Sequence, residues 1–344
     1  MPANEPSEPK APLIWLNYNS MHIIELAKSS LKSIMELDYQ NYEVIIVDNG
    51  STDGSFQAIT EYLAQSIPPR RNYNVIRNER NLGFTGGINS GYEKRDRSSR
   101  YVLPINNDAI MSSDSLRRLV HVMEINNRIG AAQGVVLRLT SDEIDSTGGI
   151  IDELFLLHRP DLEPLQHQDE LAITYPEGTC PIYRISVIDA FNDRLFITEA
   201  VMSYLEDVFN GLMIWNLGYQ CVLLPFVVAH HSRAAVTSRY RGAVKPSYYF
   251  HRNRIAILYL SNSKYKWMPC LFLELRLVFR RLRDAKEILR TFVDGLALGR
   301  HLRNKYGYRL DIYCAPLHKV SPVAFIFPEK LHNERNRFPR SCEK

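Results

Sequence analysis

Five short polar clusters in this 344-residue chain carry residue types that bind charged ligands or move protons. The first is Asp48-Asn49-Gly50-Ser51-Thr52-Asp53, directly after the apolar run Val44-Ile45-Ile46-Val47. Ligands of open parallel sheets collect beyond the carboxyl ends of strands, so Asp48 stands where a carboxylate can accept from a base or ribose. A turn with Asn-Gly chemistry and a helix cap explains the same residues structurally. The second cluster runs from Asn78 to Asn89 and holds Gly83, Gly86 and Gly87. Such glycine density lets a backbone approach a ligand, but the spacing is neither G-x-G-x-x-G nor a P-loop, and a mobile loop is the plain alternative. Third, Asn106-Asn107-Asp108 closes an apolar run. A carboxylate and carboxamides there suit a hard divalent cation that leaves room for diphosphate oxygens. Fourth, Glu206-Asp207 opens a helical stretch. The helix N-terminus is expected to lower an acid's pKa and keep it ionised, as a base or a cap requires. Fifth, the imidazoles of His230-His231 can bind a metal or pack as ordinary strand residues.

The elements that must hold these clusters follow from apolar patterning. Leu13-Ile14-Trp15-Leu16 reads as a buried strand emptying into Asn17-Tyr18-Asn19-Ser20. Ile23, Ala27, Leu31 and Ile34 recur at helical spacing, with Asn19 or Ser20 placed to cap the first turn. A strand at 44–47, a helix from about Ser55 with Phe56, Ile59 and Leu63, and strands at 75–76 and 101–105 continue the alternation of a parallel sheet with helical crossovers. Pro104 cannot donate to a ladder, so its strand should lie at an edge or in a pairing that ends just before it. A helix with Leu116, Leu119, Val120 and Met123 on one face, capped within 112–114, precedes a strand at 131–137. Residues 140–205 are irregular and read as acceptor-side elaboration. Residues 220–231 read as one or two strands broken at Pro225, with the catalytic domain ending near 235.

From about 247 the chain is helical again, with a break at Pro269. Leu271, Leu275, Val278, Leu282, Ala285, Leu289, Phe292 and Leu296 form an apolar seam flanked by Arg276, Arg280, Arg281, Arg283, Lys286 and Arg290. Two readings stay open: the seam packs on the catalytic domain or on a second copy in a homo-oligomer, or residues 270–300 lie in the headgroup layer of an anionic membrane.

Composition excludes several classes. Apolar residues make up 45% and charged residues 23%, which is globular, and the length fits one large domain with an appendage or two domains. The net charge of +4 is too small for a dedicated nucleic-acid binder, so no nucleic acid is expected as partner. Cys180, Cys221, Cys270, Cys314 and Cys342 are odd in number and scattered, suggesting neither a disulfide framework nor a thiolate zinc site. Residues 1–11 read as a disordered lead-in without a secretory apolar stretch, and no apolar run approaches the roughly 20 residues that span a bilayer. The expectation is a cytoplasmic protein, peripheral on the inner face of the cell membrane if the basic seam binds lipid. Residues 306–344 read as an irregular tail.

Taken in order, N-Y-N-S, V-D-N-G-S-T-D-G-S, N-x-x-N-L-G-F-x-G-G-x-N, N-N-D, E-D and P-x-x-x-x-x-H resemble the family-2 glycosyltransferases of the GT-A fold. The similarity covers about residues 12–260 and is greatest to the branch of rhamnosyl-, mannosyl- and galactofuranosyl-transferases; the ordered set is specific where its members are not. It implies an α/β nucleotide-sugar-binding fold over 12–235, a mostly parallel sheet flanked by helices, with a C-terminal helical extension over 236–305. Asn17, Asn19 and Asp48 are similar to the family's nucleotide contacts, and Gly83, Gly86, Gly87 and Asn89 to a loop over the sugar nucleotide. Asn106, Asn107 and Asp108 resemble the D-x-D motif, with Asp108 as metal ligand. Asp207 matches the catalytic base. His231, six residues after Pro225, matches the metal-binding histidine, with His230 the alternative under another strand register. Arg252, Asn253 and Arg254 resemble a motif near the diphosphate.

The activity so implied is inverting transfer from a nucleoside-diphosphate sugar, with Mn²⁺ or Mg²⁺, to a hydroxyl of a glycan or lipid-linked glycan. Asn106 replaces the first D-x-D acid, and Phe209 stands where relatives often carry another carboxylate. These departures motivate an alternative, a catalytically degenerate transferase acting as a glycan-binding or scaffolding subunit. A nucleotidyltransferase is disfavoured because Asn17-Tyr18-Asn19 occupies the place of its Gly-rich basic loop.

Overall fold

The computed structural model describes residues 8–67, 72–141, 143–197, 204–232, 246–266 and 285–320. Strands β1 (Ala11–Asn17), β2 (Tyr42–Asp48) and β3 (Tyr73–Arg77) lie parallel, with helices α1 (Ile24–Met35) and α2 (Ser55–Ser66) as crossovers. Helix α3 (Gly83–Lys94) returns the chain to β4 (Tyr101–Asn106), which pairs parallel with the other side of β1. Successive strand side chains face opposite ways. Ile14, Ile45 and Val47 therefore join Ile88 and Tyr92 of α3 in one core, while Leu13, Trp15, Val44 and Ile46 join Leu31, Ile34, Ile59 and Leu63 in the other.

Beyond β4 come β5 (Ala109–Met111), α4 (Ser115–Ile125), β6 (Ile129–Arg138), β7 (Ile144–Ser146), β8 (Ile150–Asp152), β9 (Leu157–His158), β10 (Leu171–Ala172) and β11 (Ile182–Arg184). Helix α5 (Ile185–Ile188), helix α6 (Glu206–Asn216) and strand β12 (Gln220–His231) follow. The main sheet runs β10-β12-β6-β11-β4-β1-β2-β3, with β5 also on β12 and β7 also on β6. β11 is antiparallel to both its neighbours, which turns the parallel half into a mixed one. β11 pairs with β4 only at Tyr101 and Val102, so that ladder has ended before Pro104, as its missing donor requires. Pro225 does not split β12: a register shift between Leu224 and Val227 absorbs it as a bulge.

The first turn of α1 is capped differently from expectation. Ser20 turns its hydroxyl to Asn17 Oδ1, and Asp53 of the neighbouring loop accepts from the Met21 N–H at 2.8 Å. Nor is the glycine-rich segment a loop, because Gly83–Lys94 is helical. Its glycines let α3 press onto the sheet: a Cβ on Gly87 would stand 2.5 Å from Leu16 Cδ1 and 3.1 Å from Asn49 Nδ2.

Two further expectations are corrected at the C-terminal end. Helices α7 (Pro246–Leu260) and α8 (Ala285–Tyr306) pack together, but the buried stripe of α8 is Thr291, Gly295, Gly299 and Leu302. Cβ atoms on Gly295 and Gly299 would meet Ile255 and Tyr259 of α7 below 3.0 Å, so small residues, not the Leu289-Phe292-Leu296 seam, set the contact. Leu289 and Val293 are instead 64% and 54% exposed. Seam positions 271, 275, 278 and 282 lie outside the described residues, as does Pro269. The tail is not wholly irregular either: β13 (Leu317–His318) adds in parallel to β8, which also pairs with β9, in a second small sheet. Cys314 is disulfide-bonded, where the odd number and scatter of the cysteines suggested no disulfide framework, because sequence separation says nothing about proximity in the fold; Cys180 and Cys221 are buried thiols. Among the described residues no helix is long and apolar enough to cross a membrane.

Candidate functional site

The carboxyl ends of β1, β2 and β4 form one polar rim. Asn17, the last residue of β1, donates from Nδ2 to Asp48 Oδ1 at 2.8 Å and to the hydroxyls of Ser51 and Ser55 at 3.2 Å. Asp48, the last residue of β2, accepts from the Ser51 N–H at Oδ2, 3.1 Å away, and Arg77 Nε stands 3.5 Å from the same oxygen. Both residues are about 1% exposed, so their polar atoms chiefly hold the rim in shape. Asn19 has a φ of 46°, a conformation asparagine tolerates, which places its backbone N–H on Ser51 Oγ at 3.0 Å and its Oδ1 on the Thr52 N–H at 2.8 Å. Asn107 links the end of β4 to the same network, 3.4 Å from Asn17 Oδ1.

The rim continues into a charged centre. His231 ends β12 beside Ala109 of β5, and its Nε2 lies 3.0 Å from Asp108 Oδ1 and 3.5 Å from Asn106 Nδ2. Alternation along β12 sends His230 to the other face, so in this register His231 is the one that meets Asp108. On the ring's other side, Nδ1 lies 2.9 Å from Asp145 Oδ2. Burial alone would lower the His231 pKa, but the bonds and charges of Asp108 and Asp145 outweigh it and hold the ring above its ordinary range. A bare Nε2 lone pair facing a carboxylate at 3.0 Å is repulsive, so a proton or a cation belongs between them.

Two donors at right angles on one ion, with bonds of about 2.1 Å, stand about 3.0 Å apart. The Asp108 and His231 atoms have that spacing, and a carboxylate with an imidazole suits Mn²⁺ or Mg²⁺. Among the described residues no group of three or more His, Cys, Asp or Glu is arranged to hold a metal. A cation here would take two protein donors and complete its shell from its ligand, as diphosphate-binding ions do.

Asp207 stands in the first turn of α6, with Glu206 before it. Contrary to the expectation from the helix N-terminus, neither acid is lowered. Burial pushes Glu206 up to about 7, and burial with the charges of Glu206 and Glu177 pushes Asp207 well above the carboxylate range. The Val208 N–H on Asp207 Oδ1, at 2.8 Å, pulls the other way and loses. The Glu177 charge is among those that raise Asp207, and the Asp108 charge adds to the burial that raises the Cys180 thiol. The turn into α6 is strained, with φ values of 80° at Tyr204 and 67° at Leu205. Asn253 of α7 holds it by donating to the Tyr204 carbonyl at 2.8 Å.

Several sequence-predicted residues have other work. The Asn89 amide is engaged at both ends with the backbone of Phe196, at 2.6 Å and 3.0 Å. Gly86 and Gly87 face Leu82, Leu16 and Asn49, while Gly83 offers its carbonyl to Asn49 Nδ2 at 2.9 Å. Arg254, expected near the diphosphate, is 4% exposed and donates to the Leu154 carbonyl at 2.6 Å. Phe209 is core, edge-on to Tyr308 at 5.2 Å. Sequence reading missed Asp145, Glu177 and Arg77. A single acid inside the short strand before Gly148-Gly149 was the available signal for Asp145.

Comparison with known proteins follows the same lines. Residues 14–191, more than half of the chain, match the model of Glycosyl transferase family 2. An uncharacterized glycosyltransferase of Haemophilus influenzae is 25% identical over 248 residues, 71% of this chain and 69% of that protein. The structure of S. aureus TarS in complex with UDP-GlcNAc is similar with a TM-score of 0.54 at 16% identity, covering 84% of this chain and 83% of that one. The mannosyltransferase PcManGT from Pyrobaculum calidifontis, in complex with GDP-Man and Mn²⁺, gives 0.50 at 18% identity, covering 87% and 79%. These likenesses show the GT-A fold, and with the family match they establish that the chain belongs to glycosyl transferase family 2.

Proposed function

We propose that this chain is an inverting, metal-dependent glycosyltransferase that moves a hexosyl or deoxyhexosyl unit from a nucleoside-diphosphate sugar to a hydroxyl of a glycan or lipid-linked glycan. The observation that carries this reading is the approach of Asp108 and His231 to 3.0 Å at the end of the Asn17-Asp48-Asn107 rim. The structural neighbours support the donor class, since their structures hold UDP-GlcNAc in one case and GDP-Man with Mn²⁺ in the other.

In this reading Asn17, Asn19, Asp48, Asn106 and Asn107 form the nucleotide side of the cleft. Asp108 and His231 would hold a divalent ion, which would supply charge stabilisation for the departing diphosphate. Asp207 accepts the proton of the acceptor hydroxyl as that oxygen attacks the anomeric carbon, and the nucleoside diphosphate leaves from the opposite face with inversion. Because its pKa is raised, Asp207 is a stronger base than an ordinary carboxylate, and the rate should rise with pH as it ionises. Helix α3 contributes from behind, through Asn49 and the backbone it orders, and not as a mobile cover.

Acceptors on a lipid carrier suit the outer face of α8, where exposed Leu289 and Val293 stand near Lys286 and Arg290, a combination that fits an anionic headgroup layer. The central test is Asp207→Asn. A panel of nucleotide sugars with Mn²⁺ should stabilise this variant against heat as it does the wild type, while turnover falls 10²- to 10⁴-fold, roughly the worth of a general base. Turnover near the wild-type rate removes Asp207 from the mechanism.

A further inference from the structure

His231 is gripped from both sides, and only one grip belongs to the cation pair. Asp145 lies in β7, which pairs antiparallel with β6, and β6 in turn pairs with β12 so that Arg138 stands opposite His231. The Asp145 carboxylate reaches past this register to place Oδ2 2.9 Å from Nδ1, with its side chain 1% exposed. Its strand is pinned: Gln133 Nε2 donates to Ser146 Oγ at 2.9 Å, and Arg159 donates to the Asp145 carbonyl at 3.3 Å. An ionised carboxylate only accepts, and burying one is costly unless a donor faces it.

A ring that offers a lone pair to a cation is neutral and has a single N–H, for which Asp108 and Asp145 compete. If Asp108 won, Nε2 would carry the hydrogen and its lone pair would be unavailable to a cation. We propose that Asp145 is a positioning residue that keeps the His231 hydrogen on Nδ1, so that Nε2 is the nitrogen presented to Asp108 and to an ion shared with it. The last step rests on the metal reading above; the orientation of the ring does not. Orienting carboxylates of this kind are worth about 10- to 100-fold in metal affinity.

Two measurements on the full-length chain test this. In metal-free protein with ¹⁵N-labelled histidine, at a pH high enough for the His231 ring to be neutral, the buried Nδ1–H should give a slowly exchanging downfield proton resonance. It should be present in the wild type and in Asp108→Ala and absent in Asp145→Ala. Mn²⁺ alone, titrated by calorimetry, should bind about 10- to 100-fold more weakly to Asp145→Ala. Asp145→Asn keeps an acceptor oxygen and should lose less, which separates orientation from a folding defect. In a His231→Ala background, Asp145→Ala should cost no further affinity, since the carboxylate acts only through the ring. Persistence of the resonance in Asp145→Ala, or additive losses in the double variant, would overturn the proposal. A wild type that shows the Asp145-dependent resonance but binds no Mn²⁺ would remove the metal reading and leave the positioning role standing.

Discussion

Glu206→Gln isolates the cost of keeping an acid inside an apolar wall. Glu206 lines a small cavity with Ile197, Leu205, Phe209, Ala256, Ile257 and Leu298, and its Oε2 is buried without a hydrogen-bond partner. Burial takes its carboxyl from an ordinary 4.5 up to about 7. Between those values the folded chain keeps a proton that the unfolded chain has released, so stability must fall as pH rises through the window. At about 1.4 kcal/mol per pH unit, the full loss is roughly 3 kcal/mol. Glutamine has the shape of the protonated acid and does not titrate. Urea unfolding of both proteins, followed by circular dichroism at pH 5 and pH 8, should show the variant gaining on the wild type by about 2–3 kcal/mol between the two conditions. The Glu206 charge also helps to lift Asp207, so the alkaline rise in turnover should move to lower pH in the variant. Stability curves that stay parallel from pH 5 to pH 8 would show that Glu206 is not desolvated, and the account of this acid pair would fail.

Other outcomes follow from the same geometry. Asp108→Ala should abolish the Mn²⁺ dependence of nucleotide-sugar binding; calorimetric affinities that still respond to Mn²⁺ would place the ion elsewhere. Asn253→Ala removes the donor on the Tyr204 carbonyl, so thermal unfolding should show a loss of about 1 kcal/mol. In the same variant kcat should drop more than donor KM rises, because the turn that carries Asp207 relaxes. On vesicles rich in anionic lipid, Leu289→Ser with Val293→Ser should float less than the wild type. A wild type that itself stays in the soluble fraction ends the membrane reading.

The parallel half of the fold was legible because its signals are local. Val44-Ile45-Ile46-Val47 and Leu13-Ile14-Trp15-Leu16 are short apolar runs closed by polar turns, and each becomes a strand whose last residue reaches the rim. Helix α4 was legible for the same reason, with Leu116, Leu119, Val120 and Met123 all buried as their spacing predicts. Features set by distant partners were not. The reading of Gly83, Gly86 and Gly87 as a loop followed glycine's freedom in isolation, whereas Leu16 and Asn49 supply the close contact that makes small residues necessary in a helix. The Asp207 pKa went the wrong way because a helix-terminus argument sees one turn, while burial and Glu177 come from elsewhere in the chain. That His231 is the histidine facing Asp108 is visible only once β12 is set against β5 and β6.

The small sheet bears on how the chain reaches its native state. Ile151 and Asp152 take Leu317 and His318 as parallel neighbours, and the Val320 N–H donates to Glu153 Oε2 at 3.2 Å. During synthesis those partners leave the ribosome only long after β8 has emerged. Contacts closed over so long a stretch form slowly. Nascent chains halted before residue 317 should therefore leave the edge of β8 uncovered, open to chaperones or to pairing with other strands.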